Sequence, residues 1–325
     1  MLMVLVLFGI TLITFVISHI VPADPVAAYV GPQAPESEVT KIRREIGLDK
    51  PLPEQYLIYA GGLLHGNLGM SIQDNRPVAT DIATYSPATL ELSIAAMVIA
   101  VALGVPLGVI AAVRRDRLID HLTRALALTG VSLPVFFLAL LLLAVFYVKL
   151  GLLPGPGELG PYTQAPPRVT GMTVVDALIA GDLPAFQDAL GHLVLPAFVL
   201  GFATAGIILR MTRSSMVEAL HRDFVRTARA KGVSRFRVVA VHALRNAMIP
   251  TVTVIGLAFG SLLSGAVLTE TIFSWPGLGR YATQSVVTLD IPAIMGVTMV
   301  AAVAYSIVNL VVDIAYAVLD PRITY

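Results

Sequence analysis

Of the 325 residues, 56% are hydrophobic and only 13% are charged, about half the charged fraction of an ordinary soluble domain. Mean hydropathy is +0.81, which is more apolar surface than one or two soluble cores can hide, so the bilayer is the expected solvent. A formal net charge of +1 gives no overall field to draw in nucleic acid, and zero cysteines exclude disulfides, thiolate metal sites, iron–sulfur clusters and cysteine nucleophiles.

A helix that crosses the bilayer needs about 20 consecutive apolar residues, because hydrocarbon satisfies no backbone group and penalises charge. Six stretches free of Asp, Glu, Lys and Arg meet that length: 1–20, 93–113, 125–148, 189–209, 247–269 and 291–312. The expected fold is therefore all-α, one polytopic membrane domain over 1–325 with six transmembrane helices. The first stretch has no basic leader, and Val21, Pro22, Ala23, Asp24 and Pro25 after it offer no small-x-small cleavage site, so it reads as a retained helix. Within the long segment 21–88, residues 36–48 place Val39, Ile42 and Ile46 on one helical face. Gly47 closes that helix, and Pro51 and Pro53 act as stops. Such a helix either caps the mouth of a pathway or packs on the surface of the domain.

In the fifth stretch Gly256, Gly260 and Ser264 recur every four residues with Ser261 and Gly265 beside them, the spacing that lets helices approach closely in lipid. Helix packing is the first reading of this stripe and a lining of the transport path the second. Trp275, Pro276 and Gly277 follow just outside the stretch, where an aromatic anchor at the membrane interface competes with part of an outer gate.

Charge is segregated along the chain. Segments 114–124 and 210–245 carry 13 of the 22 Lys and Arg, whereas 21–81, 149–188 and 270–290 together hold 8 basic residues against 14 acids. Basic loops stay cytoplasmic, which places both termini and the two basic segments inside and the Pro-rich loops outside.

Several chemistries are absent. All four lysines follow Thr40, Asp49, Val148 or Ala230, so no Gly-Lys-Ser/Thr phosphate loop exists and any ATP used must be hydrolysed by another polypeptide. The histidines include no pair three or four residues apart, so zinc hydrolysis is unsupported and no metal site is expected. The chain is expected not to be an enzyme, with no catalytic residue of its own. Proton- or ion-coupled carriers bury charged relays within their spans, whereas Glu91, Glu270 and Asp313 sit at span edges and are expected to pair locally or face the interface.

The longest basic segment reads DFVRTARAKGVSRFRVVAVHALRNAMIP from Asp223 to Pro250. Its pattern predicts a short cationic helix over 224–231 with Asp223 favouring its start, a left-handed stop at Gly232, and a second helix returning to the membrane. On physics alone this is either a topological signal or a docking surface. RTARAKG at 226–232 and HALRNAMIP at 242–250 resemble the "EAA" loop of permease subunits from binding-protein-dependent ABC importers. Collinear segments resemble the peptide/nickel branch, B-type dipeptide and oligopeptide permeases in particular: ISHIVPADP (17–25), GLDKPLPEQY (47–56), GNLGMS (66–71), PATLEL (87–92), GVPLGVIAAVRR (104–115), GVSLPVFFLALLLL (130–143), TETIFSWPGLGRY (269–281) and NLVVDIAYAVLDPRI (309–323). Arg226 stands where the general loop pattern has Glu, Thr227 where it has its first Ala and Arg245 where it has Pro. Ala228, Gly232 and Leu244 match, and this variant is usual in the peptide branch.

The resemblance implies a type I ABC importer permease fold and a plasma-membrane complex with a second homologous permease, two cytoplasmic ABC ATPase subunits and an extracytoplasmic solute-binding protein. ATP and magnesium would sit on the ATPases, with no cofactor in this chain. The implied activity is import of short peptides, with nickel or glutathione as the alternative within the branch and a stand-alone channel or carrier as the alternative outside it. It also assigns 210–246 as a coupling loop and carries the docking role onto Arg226, Thr227, Ala228, Arg229, Ala230, Lys231 and Gly232. For Gly256, Gly260, Ser261, Ser264 and Gly265 it adds the interface with the second permease.

Overall fold

The computed structural model describes residues 2–20, 35–45 and 48–319. The helices, in chain order, are α1 (Leu2–Ile20), α2 (Glu36–Glu45), α3 (Leu52–Leu64), α4 (Val78–Val113), α5 (Leu118–Ser132), α6 (Val135–Lys149) and α7 (Thr173–Ala180). They continue with α8 (Leu183–His221), α9 (Asp223–Ala230), α10 (Arg235–Ser264), α11 (Val267–Ile272), α12 (Leu278–Val287) and α13 (Ile291–Leu319). No strand occurs among the described residues.

The all-α polytopic architecture is as expected, and the described residues account for four or five of the six spans. Four described helices are long and apolar enough to cross a membrane: α4, α8, α10 and α13 up to Val312. The stretch 125–148, expected as one span, is α5 and α6 bent by 103° at Leu133 and Pro134, and it makes the fifth span when the bent pair is counted as one. Pro134 cannot donate to the helical ladder, and it pushes Leu133 into extended backbone at φ −74° and ψ 126°. The first stretch lies in α1, whose described apolar part, Leu5–Ile17, is shorter than a full span. Of the helix expected at 36–48, α2 covers Glu36–Glu45; Ile46 and Gly47 lie outside the described residues, as do the side chains of Ile42, Gly265 and Asp313.

The centre of the bundle is the parallel pair α4 and α8, along which Ala96, Gly104 and Gly108 meet Gly201, Ile208 and Thr212 in the same order. On α4, Leu92, Ala96, Ala100, Gly104, Gly108 and Ala112 recur every four residues and are all buried. A β-carbon at Gly104 would come within 2.9 Å of Ile208, and one at Gly108 within 2.7 Å of Thr212 and 2.9 Å of the Leu209 carbonyl. One at Gly201 would sit 2.7 Å from the Ala96 carbonyl. Lipid tails are as apolar as leucine, so close backbone approach through small residues is what holds such helices together. The sequence carried this repeat as openly as the one at Gly256, and it marks the tighter contact.

Candidate coupling surface and the opposite cap

Beyond its apolar stretch α8 continues as helix to His221, so 210–221 is helical rather than loop. At Arg222 the backbone turns extended (φ −73°, ψ 155°) and α9 begins at Asp223. Val225 is buried, and Phe224 packs on an apolar cluster of Ala112 from α4, Met216 and Ala219 from α8, and Ala243 and Ala247 from α10. This one-sided anchoring leaves Arg226, Thr227, Arg229, Ala230, Lys231 and Gly232 exposed, with Ala228 half-buried on the seated side. Gly232 has φ +75°, and a β-carbon there would meet nothing within 4 Å, so backbone conformation alone requires glycine at this stop. Its N–H donates to the Arg229 carbonyl (3.0 Å) and that of Val233 to the Ala228 carbonyl (3.1 Å), closing the helix. The structure thus gathers all seven predicted loop residues on one protruding turn. The Arg226–Asp223 ion pair is long at 3.5 Å, and both side chains are more than four-fifths exposed, so it fixes little.

Two features of this end went unread in the sequence. Phe236, at the start of α10, is 81% exposed between exposed Arg235 and Arg237; a large apolar side chain in a cationic rim is the composition of an interface anchor. Asp120 of α5 is fully buried and takes both Nε (2.6 Å) and Nη2 (2.7 Å) of Arg213 from α8. Its Oδ2 also accepts the Asp116 N–H at 3.0 Å. This fork-to-carboxylate pair ties the bent pair to the helix that carries α9. Arg213 had signalled only positive charge; nothing local announced its partner 93 residues away.

Toward the start of α8, carboxylates are used differently. Glu91 of α4 accepts the N–H groups of Thr173 (3.1 Å) and Val174 (2.8 Å), capping the first turn of α7. Asp176 accepts from the N–H groups of Val169, Thr170 and Gly171 and the Thr170 hydroxyl at 2.7–3.1 Å. Burial works against that carboxylate, and the hydrogen bonds outweigh it, holding its pKa below the usual value. Glu158 lies beside them on a cavity of about 190 Å³ that Arg168 and Thr173 also line. Burial, reinforced by the neighbouring Glu91, raises the Glu158 carboxyl to about 7 against the opposing Thr173 hydrogen bond.

Glu270, fully buried in α11, accepts the Thr89 hydroxyl (2.7 Å) and the Arg280 N–H (3.0 Å). Trp275 is also fully buried and donates from Nε1 to the Ala88 carbonyl at 2.9 Å. An interface anchor needs its ring at the membrane surface, so that reading of Trp275 is corrected: it packs with Leu92, Ala96, Leu193 and Leu262. Asp290 accepts the Ser71 hydroxyl (2.6 Å) and the N–H groups of Ile72 (3.0 Å) and Ala293 (3.2 Å), joining 71–73 to the start of α13. Glu91 and Glu270 are thus satisfied by hydrogen bonds, mostly from segments distant in the chain.

The small-residue stripe of α10 divides. A β-carbon at Gly256 would collide with Val312, and one at Gly260 would lie 2.9 Å from the Tyr305 ring, both on α13 of the same chain. Helix packing, the first reading of the stripe, describes these two: their face is filled by their own subunit. Ser261 and Ser264 are exposed, each hydroxyl turned back on the carbonyl four residues earlier.

The profile described as "Binding-protein-dependent transport system inner membrane component" matches residues 104–325, and the corresponding N-terminal profile matches 1–93. The chain is 47% identical over 321 residues to the Probable D,D-dipeptide transport system permease protein DdpB of Escherichia coli (strain K12), covering 99% of this chain and 94% of that one. It is 46% identical to the Dipeptide transport system permease protein DppB of the same organism, covering 98% and 94%. It is 41% identical to the DppB of Alkalihalophilus pseudofirmus, covering 100% and 97%. With both profiles and these relatives covering nearly its whole length, the chain belongs to the family of binding-protein-dependent transport system inner membrane components and is a multi-pass transport permease of the bacterial inner membrane.

Proposed function

We propose that this chain is the transmembrane permease subunit of an ATP-driven importer of short peptides, and that 226–232 docks one of two cytoplasmic ATPase subunits. The observation that carries the reading is the construction of α9: seated by Val225, stopped by the left-handed Gly232, and showing Arg226, Thr227, Arg229 and Ala230 outward. The names of the relatives, all dipeptide permeases among those compared above, supply the substrate class. Nickel and glutathione are the weaker alternatives within the branch. ATP and magnesium belong to the ATPases, a second homologous permease completes the membrane part, and an external binding protein delivers the peptide.

The mechanics follow from the packing. A rotation of the ATPase displaces α9 as a rigid turn, and the cluster at Phe224 passes the displacement to α4, α8 and α10 together. The Asp120–Arg213 fork carries it on to α5. Phe236 adds an apolar anchor to the basic docking face. In this reading both termini and 210–246 are cytoplasmic, and 21–88 is on the other side.

Copurification of the complex from native membranes, with mass spectrometry of the partners and uptake of labelled Ala-Ala, tests the proposal. Expected are two ATPases and a second permease, with uptake competed by unlabelled peptide but not by nickel or glutathione. Phe236→Ala should leave the stability of the permease unchanged and lower ATPase retention. Cysteines placed at Asn75 and Ser234 of this cysteine-free chain should label from opposite sides of intact cells, Asn75 from outside; equal labelling by an impermeant reagent contradicts the sidedness.

A further inference from the structure

The segment between the first two apolar stretches reads as an external loop, yet α3 within it has the surface of a lipid-facing helix. None of its residues is buried. Its inward side leans on α1 through Tyr56 and Tyr59: the Tyr56 and Thr11 hydroxyls lie 2.9 Å apart, and the Tyr56 ring meets Phe8 and Phe15 edge-on at 6.1 and 5.4 Å. The Tyr59 ring stacks on Phe15 at 6.0 Å. These contacts fall in the middle of α1, not at its end, so α3 lies alongside the apolar helix at membrane depth.

The outward side of α3 carries Leu57 (68% exposed) and, seven residues on, Leu64 (88% exposed), with Gly61 between them and Ile58 beside them. From Tyr56 to Leu64 the only polar side-chain atoms are the two tyrosine hydroxyls, both on the α1 side. Polar groups collect at the two ends. Lys50 pairs with Glu54 at 2.7 Å before the run, and His65 folds back onto the Gly61 carbonyl at 2.8 Å after it. Nine residues of helix measure about 13 Å, far short of the roughly 30 Å of a bilayer core. A helix this short, apolar on its outward side and polar only at its ends, fits within one leaflet beside α1 and does not span the bilayer. Its exposed leucines continue the exposed Leu12, Ile13, Val16 and Ile17 of α1. Large branched side chains with no donor or acceptor suit acyl chains, whereas helix–helix contacts in lipid favour small residues.

We propose that α3 is embedded in the outer leaflet, with the Leu57–Leu64 face against lipid acyl chains and the Tyr56–Tyr59 face against α1. The test uses the full importer complex in proteoliposomes, with single cysteines at Leu57, Leu64 and, as an aqueous reference, Glu54, each carrying a nitroxide. Oxygen partitions into hydrocarbon and a neutral nickel chelate into water. At Leu57 and Leu64 the oxygen collision rate should exceed the chelate rate several-fold, and at Glu54 the order should reverse. Bimane at the same two positions should be quenched by lipids brominated on the acyl chain. Chelate access at either leucine would overturn the proposal by placing this face in water. Immobile labels shielded from both reagents would overturn it by showing that a protein subunit covers the face.

Discussion

At the α9 end, Arg226, Arg229, Lys231, Arg235 and Arg237 stand exposed and Phe236 beside them is bare. At the other end of α8, Glu91, Asp176, Glu270 and Asp290 are buried, and each carboxylate accepts backbone N–H groups from a neighbouring segment. Charge does opposite work in the two places. A carboxylate that caps backbone donors is an internal fastener, whose loss strands several groups at once. An exposed cation gains little from water-screened neighbours and is available to a partner. The cap is thus fastened from within the permease, and the α9 turn is the exposed surface on which the proposed docking rests.

The sharpest way to break this contrast is to disturb what both ends share, the α4–α8 seam. Gly108→Leu places a side chain where even a β-carbon would lie 2.7 Å from Thr212 and 2.9 Å from the Leu209 carbonyl. The backbones must separate, at a cost of about 3 kcal/mol or more, and folded protein should be lost from both ends together. Fluorescence-detected size exclusion reads this as a vanished monodisperse peak. A normal peak would show that the seam is not the core.

Arg229→Glu separates the two ends. The segment 210–245 keeps eight of its nine basic residues, so insertion should not invert, and Arg229 is exposed, so the fold should stand. A desolvated docking cation is worth about 2–5 kcal/mol when its partner is stranded. The variant should therefore lose its ATPases on purification, or hydrolyse ATP without uptake. Full copurification with wild-type transport would reduce Arg229 to a solvated charge.

Gly232→Val probes the same turn through the backbone. With nothing near its β-carbon and φ at +75°, the strain is conformational, about 1–3 kcal/mol. Abundance should persist while uptake falls, and Gly232→Asn, which tolerates the left-handed region, should recover most of it. Equal defects for Val and Asn would point to crowding by a partner instead of backbone strain.

The smallest effect belongs to the cap. Because the Glu158 carboxyl is raised to about 7, the folded state holds its proton more tightly than the unfolded chain. Its stabilising contribution is full below the ordinary Glu range and is lost as pH rises through about 7. The wild-type complex should show stronger amide protection of 158–176 at pH 5.5 than at pH 8.5, and Glu158→Gln should flatten that difference. A pH dependence unchanged in the variant would assign it to another group.

The sequence alone determined the solvent, the all-α class and the family, because apolar run length, charge-free windows and collinear motifs are local properties of the chain. It likewise carried the α9 turn, since Asp223, the cationic run and Gly232 act within one helix and its stop. Tertiary structure decided what depends on distant partners. Nothing near Asp120 names Arg213 as its partner, nothing near Trp275 shows that the Ala88 carbonyl takes its N–H, and the packing spacing of Gly256 and Gly260 does not say that Val312 and Tyr305 fill their face. The bend at Pro134 was written in the chain, but its angle of 103° was not. A proline removes one donor and restricts one neighbour, and only the helices packed on either side set the direction the chain then takes.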